Sequence, residues 1–158
     1  MPYGENDMAA KRIRLVALTI ALVSVVGATQ VRANSAAPGW YGKPARPADL
    51  NCFVSVASLG AAVQNTCGGE NRDWDSPLPI TNAGSHAVTV TYTGAATLIC
   101  TVFGFNQFGS VFSQNTVSNL NLSQGTIVPT ASLPAGGSLM LRCTMSQGAR
   151  ITNINYNP

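Results

Sequence analysis

The residues best suited to chemistry are few and crowded. Glu70, Asn71, Asp73 and Asp75 bring hard oxygen donors into one short stretch around Arg72 and Trp74. Such groups serve two ends: a calcium ion, which takes several oxygens, or a glycosidic bond flanked by two carboxyls. The spacing suits neither. A calcium loop of the EF-hand type needs alternating acids, a central glycine and a final glutamate, and a cleft enzyme draws its carboxyl pair from separate elements. The run from Gly68 to Pro77 therefore reads as a polar loop, and calcium is expected to stabilise the chain little. His86 is the single histidine. As a base it would need a nucleophile beside it and a third group to orient it. It sits in Asn82-Ala83-Gly84-Ser85-His86, read as a solvated turn before a strand, and no Gly-x-Ser-x-Gly elbow accompanies it. A small secreted hydrolase using His86 or the acids from Glu70 to Asp75 is thus the alternative, not the first reading. No cofactor is expected.

Cys52, Cys67, Cys100 and Cys143 lie 15, 33 and 43 residues apart. A four-cysteine zinc cage wants close pairs, so disulfides are the better reading, with three pairings open to four cysteines. Cys100 and Cys143 sit in the two clearest strand patterns, 97–103 and 138–145, and Cys52 and Cys67 would close a short loop. The expected pairs are Cys52–Cys67 and Cys100–Cys143, the second placed to bridge the two layers of a sandwich. Trp40, Tyr41 and Trp74 fall in segments without periodicity, where aromatics either anchor a loop or form a contact surface for a partner. With Glu70, Asp73 and Asp75 they make up the candidate binding residues.

The elements that would hold these residues are strands. Leu139, Leu141, Cys143 and Met145 fall at every other position while Ser138, Arg142 and Thr144 take alternate ones, and Val88, Val90 and Tyr92 alternate with threonines, the period of a half-buried strand. The stretch 98–105 is apolar at nearly every position and reads as a strand buried on both faces. Asn106-Gln107-Phe108-Gly109 turns it into a hairpin, Pro134 to Gly137 breaks the chain before the Cys143 strand, and 150–156 closes it. Short strands at this spacing predict an all-β fold, one antiparallel β-sandwich of jelly-roll or Ig-like type, over residues 51–158. Residues 34–50, with three prolines and two glycines, read as an extended leader.

Export is written in the first residues. Lys11, Arg12 and Arg14 precede an uncharged apolar run that is too short to span a bilayer and ends among small residues. Residues 1–33 read as a signal peptide, with Met8 a plausible true start and Asn34 the expected mature N-terminus. Once the peptide leaves, Lys43, Arg46, Arg72, Arg142 and Arg150 stand against Asp49, Glu70, Asp73 and Asp75, a net of +1. That balance disfavours nucleic acid, no integral membrane span is expected in the mature chain, and a secreted or periplasmic location follows.

Val88-Thr89-Val90, Cys100-Thr101-Val102, Phe108-Gly109, Ala135-Gly136-Gly137, Leu141-Arg142-Cys143-Thr144 and Arg150-Ile151-Thr152-Asn153-Ile154 follow one another in an order that resembles small exported bacterial β-sandwich proteins of uncharacterised function. The resemblance covers about residues 79–158. Those relatives tend to carry a cysteine just before the Pro-Ile of the first matched strand, where this chain has Leu78-Pro79-Ile80. The resemblance implies the fold and brings no activity. The function expected is a non-enzymatic structural, surface or binding module with a protein or glycan partner. A further alternative is a subunit of an extracellular assembly that lends residues 34–50 as a strand to a neighbour.

Overall fold

The computed structural model describes residues 35–59, 62–80, 82–94, 97–120 and 123–157, so the signal-peptide reading of residues 1–33 lies outside the described residues. Twelve strands are described: β1 (Ser35–Pro38), β2 (Lys43–Pro44), β3 (Phe53–Val56), β4 (Ala62–Asn65), β5 (Arg72–Leu78), β6 (Gly84–Thr93), β7 (Thr97–Phe105), β8 (Val111–Leu120), β9 (Gln124–Ile127), β10 (Thr130–Leu133), β11 (Ser138–Met145) and β12 (Arg150–Tyr156). A 3₁₀ turn, Pro47–Cys52, begins on the fixed φ of Pro47. All pairings are antiparallel, and they make two sheets, an all-β sandwich.

One sheet has five strands in the order β2-β5-β11-β7-β8. The other has seven, built on β6 and β12: β9 and β10 share the free side of β6, β1 and β4 share that of β12, and β3 follows β4. Alternation decides the core. Val88, Val90 and Tyr92 of β6 meet Leu98, Cys100 and Val102 of β7 and Leu139, Leu141, Cys143 and Met145 of β11, all buried. An irregularity in β12 between Ile151 and Asn153 shifts its register against β6. Ile151 and Ile154, three apart, thereby both face the core. Buried Asn65 ties β4 to the turn after β11: its Nδ2 donates to Met145 O at 2.8 Å and its Oδ1 accepts from Cys67 N at 3.0 Å.

Three expectations need correction. The strand 97–105 is not buried on both faces: Leu98, Cys100, Val102 and Gly104 are buried while the alternate residues are half-buried, because among the described residues no second layer covers the outer side of β7. The disulfides are Cys52–Cys67 and Cys100–Cys143, but the second does not bridge the layers. Cys143 faces Cys100 directly across neighbouring strands of one sheet, with Cα atoms 4.1 Å apart. Such an approach marks a pair whose main-chain groups point away from each other. Third, residues 34–50 are not merely a leader, since 35–38 pair with β12 and 43–44 with β5, placing β1 and β2 in opposite sheets.

Candidate functional site

The acidic stretch is a strand, not a loop, from Arg72 onward. Its alternation sends Trp74, Ser76 and Leu78 inward and Asp73, Asp75 and Pro77 outward, with β11 on one side and β2 on the other. Arg142 stands opposite Asp75 and holds it with two parallel bonds, Nε to Oδ1 at 2.7 Å and Nη2 to Oδ2 at 2.8 Å. The bond to Asp75 raises the guanidinium pKa further above its already high value, so Arg142 stays charged. Asp73 Oδ1 accepts from Thr144 Oγ1 at 2.6 Å. Glu70 is exposed and pairs with Arg72, which also reaches Asp49 at 3.3 Å. Each carboxylate is thus engaged by a neighbour on its own sheet or loop. Among the described residues no three His, Cys, Asp or Glu side chains converge as metal ligands would. Trp74 is buried and its ring packs 5.0 Å from that of Phe53, so it is a core residue and no contact platform.

His86 is likewise no solvated turn residue. It lies inside β6, 1% exposed. Its Nδ1 is 2.8 Å from the Asn157 carbonyl and its Nε2 is 2.8 Å from the Asn82 carbonyl. Each nitrogen faces a main-chain carbonyl, to one of which the ring N–H of either neutral tautomer donates, and the buried ring lies between the Asn157 main chain and the turn before β6.

Trp40 and Tyr41 occupy the turn that carries the chain from β1 in one sheet to β2 in the other. They are 48% and 40% exposed, large for aromatics held between two strands. The turn is fixed by the glycines on either side. A Cβ on Gly39 would overlap the Ile151 carbonyl, and one on Gly42 would overlap the Asp75 carbonyl and come within 2.7 Å of Ser76 Oγ and Trp74 Nε1. Only glycine lets the turn lie this close to β12 and β5. Tyr41 N donates to Pro38 O at 2.9 Å. Trp74 Nε1 and Ser76 Oγ, buried against Gly42, have no hydrogen-bond partner among the described residues.

Trp40, Tyr41, Gly42, Lys43 and Pro77 line an open groove of about 420 Å³. From Pro77 a row of apolar residues runs across the outer face of the sheet. Pro77 stands opposite Met140, and Met140 opposite Phe103, so the three share the outer face in one row at the spacing of neighbouring strands, roughly 4.8 Å each. Phe105 follows along β7, its ring 6.1 Å from that of Phe103 and inclined to it by 27°. Asp75, opposite Lys43 and two residues from Pro77, shares this outer face with Asp73, but Arg142 and Thr144 hold the two acids, while Trp74 points into the core and Glu70 lies before β5. To Trp40 and Tyr41 the structure adds Lys43, Pro77, Met140 and Phe103. Those four added residues escape sequence reading because each looks like an ordinary strand residue. The available signal was the outward half of the alternation, where Met140 and Phe103 are apolar at positions that face solvent.

No family model matches the chain, and no curated protein matches it. Solved structures do. The apo module BiXyn10A CBM1 aligns with a TM-score of 0.54 at 10% identity, over 78% of this chain and 96% of its own. The carbohydrate-binding module CBM6cm-2 of Cellvibrio mixtus lichenase 5A, solved with cellotriose, gives 0.51 at 13%, over 78% and 96%. CBM35 from Paenibacillus barcinonensis gives 0.51 at 12%, over 78% and 98%. At these identities the likeness is one of fold: the chain has the β-sandwich seen in carbohydrate-binding modules. Among the described residues no helix is long and apolar enough to cross a membrane.

Proposed function

We propose that the protein is an exported, non-enzymatic module that binds glycan through the outer face of its five-stranded sheet. The observation that carries this is the Trp40–Tyr41 turn, two exposed aromatic side chains on a backbone pinned at Gly39 and Gly42. Rings presented rigidly cost little entropy to use, and sugar faces stack on them. Pro77, Met140 and Phe103 extend the apolar surface away from the turn, and Lys43 supplies a polar group at its rim. A track of this shape fits an extended chain of several sugar units. The sandwich common to carbohydrate-binding modules supports the reading, as do two disulfides, which persist in oxidising compartments. The hydrolase alternative loses support because His86 and the acids have their polar atoms engaged elsewhere.

Calorimetric titration with xylo-, cello- and manno-oligosaccharides of increasing length tests the proposal. Binding to at least one series is expected, with Trp40→Ala weakening it by about tenfold or more, in line with the loss of one aromatic anchor. Absence of binding to any series, or full binding by Trp40→Ala, would overturn it. Export is tested separately by the intact mass of the secreted protein, expected to begin at Asn34.

A further inference from the structure

The two outer edges of the five-stranded sheet are unlike. One is β2, two residues long, carrying Lys43 and Pro44, the short, charged, proline-bearing edge by which proteins prevent strand addition. The other is β8, ten residues, Val111-Phe-Ser-Gln-Asn-Thr-Val-Ser-Asn-Leu120, with no charge and no proline. At its start Val111 and Phe112 are 53% and 58% exposed, and Phe108 at the hairpin tip is 82% exposed. The terminal strand β10 of the other sheet is not left open in this way. Its Thr130 and Ser132 amides are taken by Asn115 Oδ1 at 3.2 Å and Ser113 Oγ at 2.7 Å, and Ser113 Oγ donates back to Ser132 O at 2.8 Å. Those bonds come from inward side chains of β8, so they close the neighbour's edge without using the main-chain groups of β8 that point away from β7. Among the described residues β8 has only β7 as a strand partner.

Which groups face outward follows from the disulfide. Cys100 and Cys143 are a close pair whose main-chain groups point away from each other, so those of Cys100 point toward β8 and meet Val117. By alternation, the N–H and C=O groups of Gln114, Thr116 and Ser118 point out from the open edge. These three are symmetric about Thr116.

From this we infer that β8 is a pairing edge for a second copy of the chain, the two β8 strands running antiparallel about a two-fold axis at Thr116. Thr116 then faces its own counterpart, and Gln114 faces Ser118 in both directions, so every outward group of the three is met. Self-pairing suits an edge without charge, because an isologous contact sets each residue against the same strand and any charge near the axis would face its like. The two five-stranded sheets join into one, and both Trp40–Tyr41 turns stay free at the far edges. The inference is independent of the glycan proposal.

Sedimentation velocity over a wide concentration range tests it on the disulfide-bonded protein. A reversible dimer is expected. Thr116→Lys should weaken it by about tenfold or more through opposed like charges, and mixing Thr116→Lys with Thr116→Glu should restore it. Thr116→Pro removes an outward N–H and spares those bonded to β7, so it too should give monomer with an unchanged melting curve. A wild-type protein that stays monomeric into the millimolar range overturns the inference, as does a dimer indifferent to all three substitutions or one that the charge-swapped mixture fails to restore.

Discussion

Two stretches of this chain offered aromatic and polar residues to a partner, Gly39–Gly42 and Arg72–Asp75, and the sandwich used them in opposite ways. In the second, Trp74 went into the core and Asp75 into a two-bonded pair with Arg142. In the first, Trp40 and Tyr41 stayed exposed while the glycines beside them took the buried contacts. The richer chemistry lay in the stretch that became structure. What separates them is the neighbour on each side. β5 lies between β11 and β2, so each outward acid meets a cross-strand partner and each inward residue meets the other sheet. The Gly39–Gly42 turn crosses between sheets, where its glycines make the tightest contacts and each ring keeps a large exposed face.

The largest effect on this contrast should come from Gly39→Ala. Its methyl group would meet the Ile151 carbonyl, main chain that cannot move without disturbing β12. A loss of about 3 kcal/mol is expected, typical of overpacking against fixed neighbours, together with loss of glycan binding as the turn is displaced. Denaturant melts and titration measure the two. A variant as stable as the parent would mean that the turn is not pinned.

Asp75→Ala addresses the other stretch. It strands Arg142, whose side chain is 39% exposed, so water recovers part of the lost interaction. We expect about 1–2 kcal/mol of destabilisation with glycan affinity unchanged, by the same two measurements. Lost affinity at full stability would return the acids to the binding site. A smaller effect is expected from Met140→Thr, which should lower affinity for long oligosaccharides about threefold and leave disaccharide binding as it was. Equal losses at all lengths would break the track into a single site at the turn.

Much of the sandwich was legible because its core strands alternate cleanly. Val88 to Tyr92 and Leu139 to Met145, with Cys143 in the second and Cys100 in the strand between them, specified strands, inward faces and a disulfide-bonded β fold. β5 was hidden although it alternates just as well: Asp73, Asp75 and Pro77 take the outward places, and outward acids look like loop until Arg142 and Thr144 are known to stand opposite. Cys100 and Cys143 show the same limit. Inward orientation could be read from their neighbours, yet adjacency within one sheet could not, since register is a property of two strands. Of the candidate site, Trp40 and Tyr41 could be named from sequence, whereas Pro77, Met140 and Phe103 become a row only through that register. His86 was misjudged because its partners, the Asn82 and Asn157 carbonyls, are main-chain groups that no residue type announces.

The smallest expected effect concerns the buried tyrosine on the strand that receives β1. Tyr156 on β12 has a phenol pKa raised above its usual value, first by burial, which disfavours the phenolate, and then by the nearby Tyr41. In the unfolded chain the phenol ionises at about pH 10. Above that pH the unfolded state has lost a proton that the folded state still holds, so alkali draws the equilibrium toward unfolding. The contribution of Tyr156 to stability is therefore complete below the unfolded value and is lost as pH rises through the folded one. Urea midpoints of wild type and Tyr156→Phe, compared at pH 8 and near pH 11, isolate it. The wild type should lose more stability between the two than the variant, and Tyr41→Phe should fall between them. Equal losses for wild type and Tyr156→Phe would mean that the Tyr156 phenol is free to ionise in the fold. The Trp40–Tyr41 turn would then lie less closely against β12 than the Gly39 contact requires.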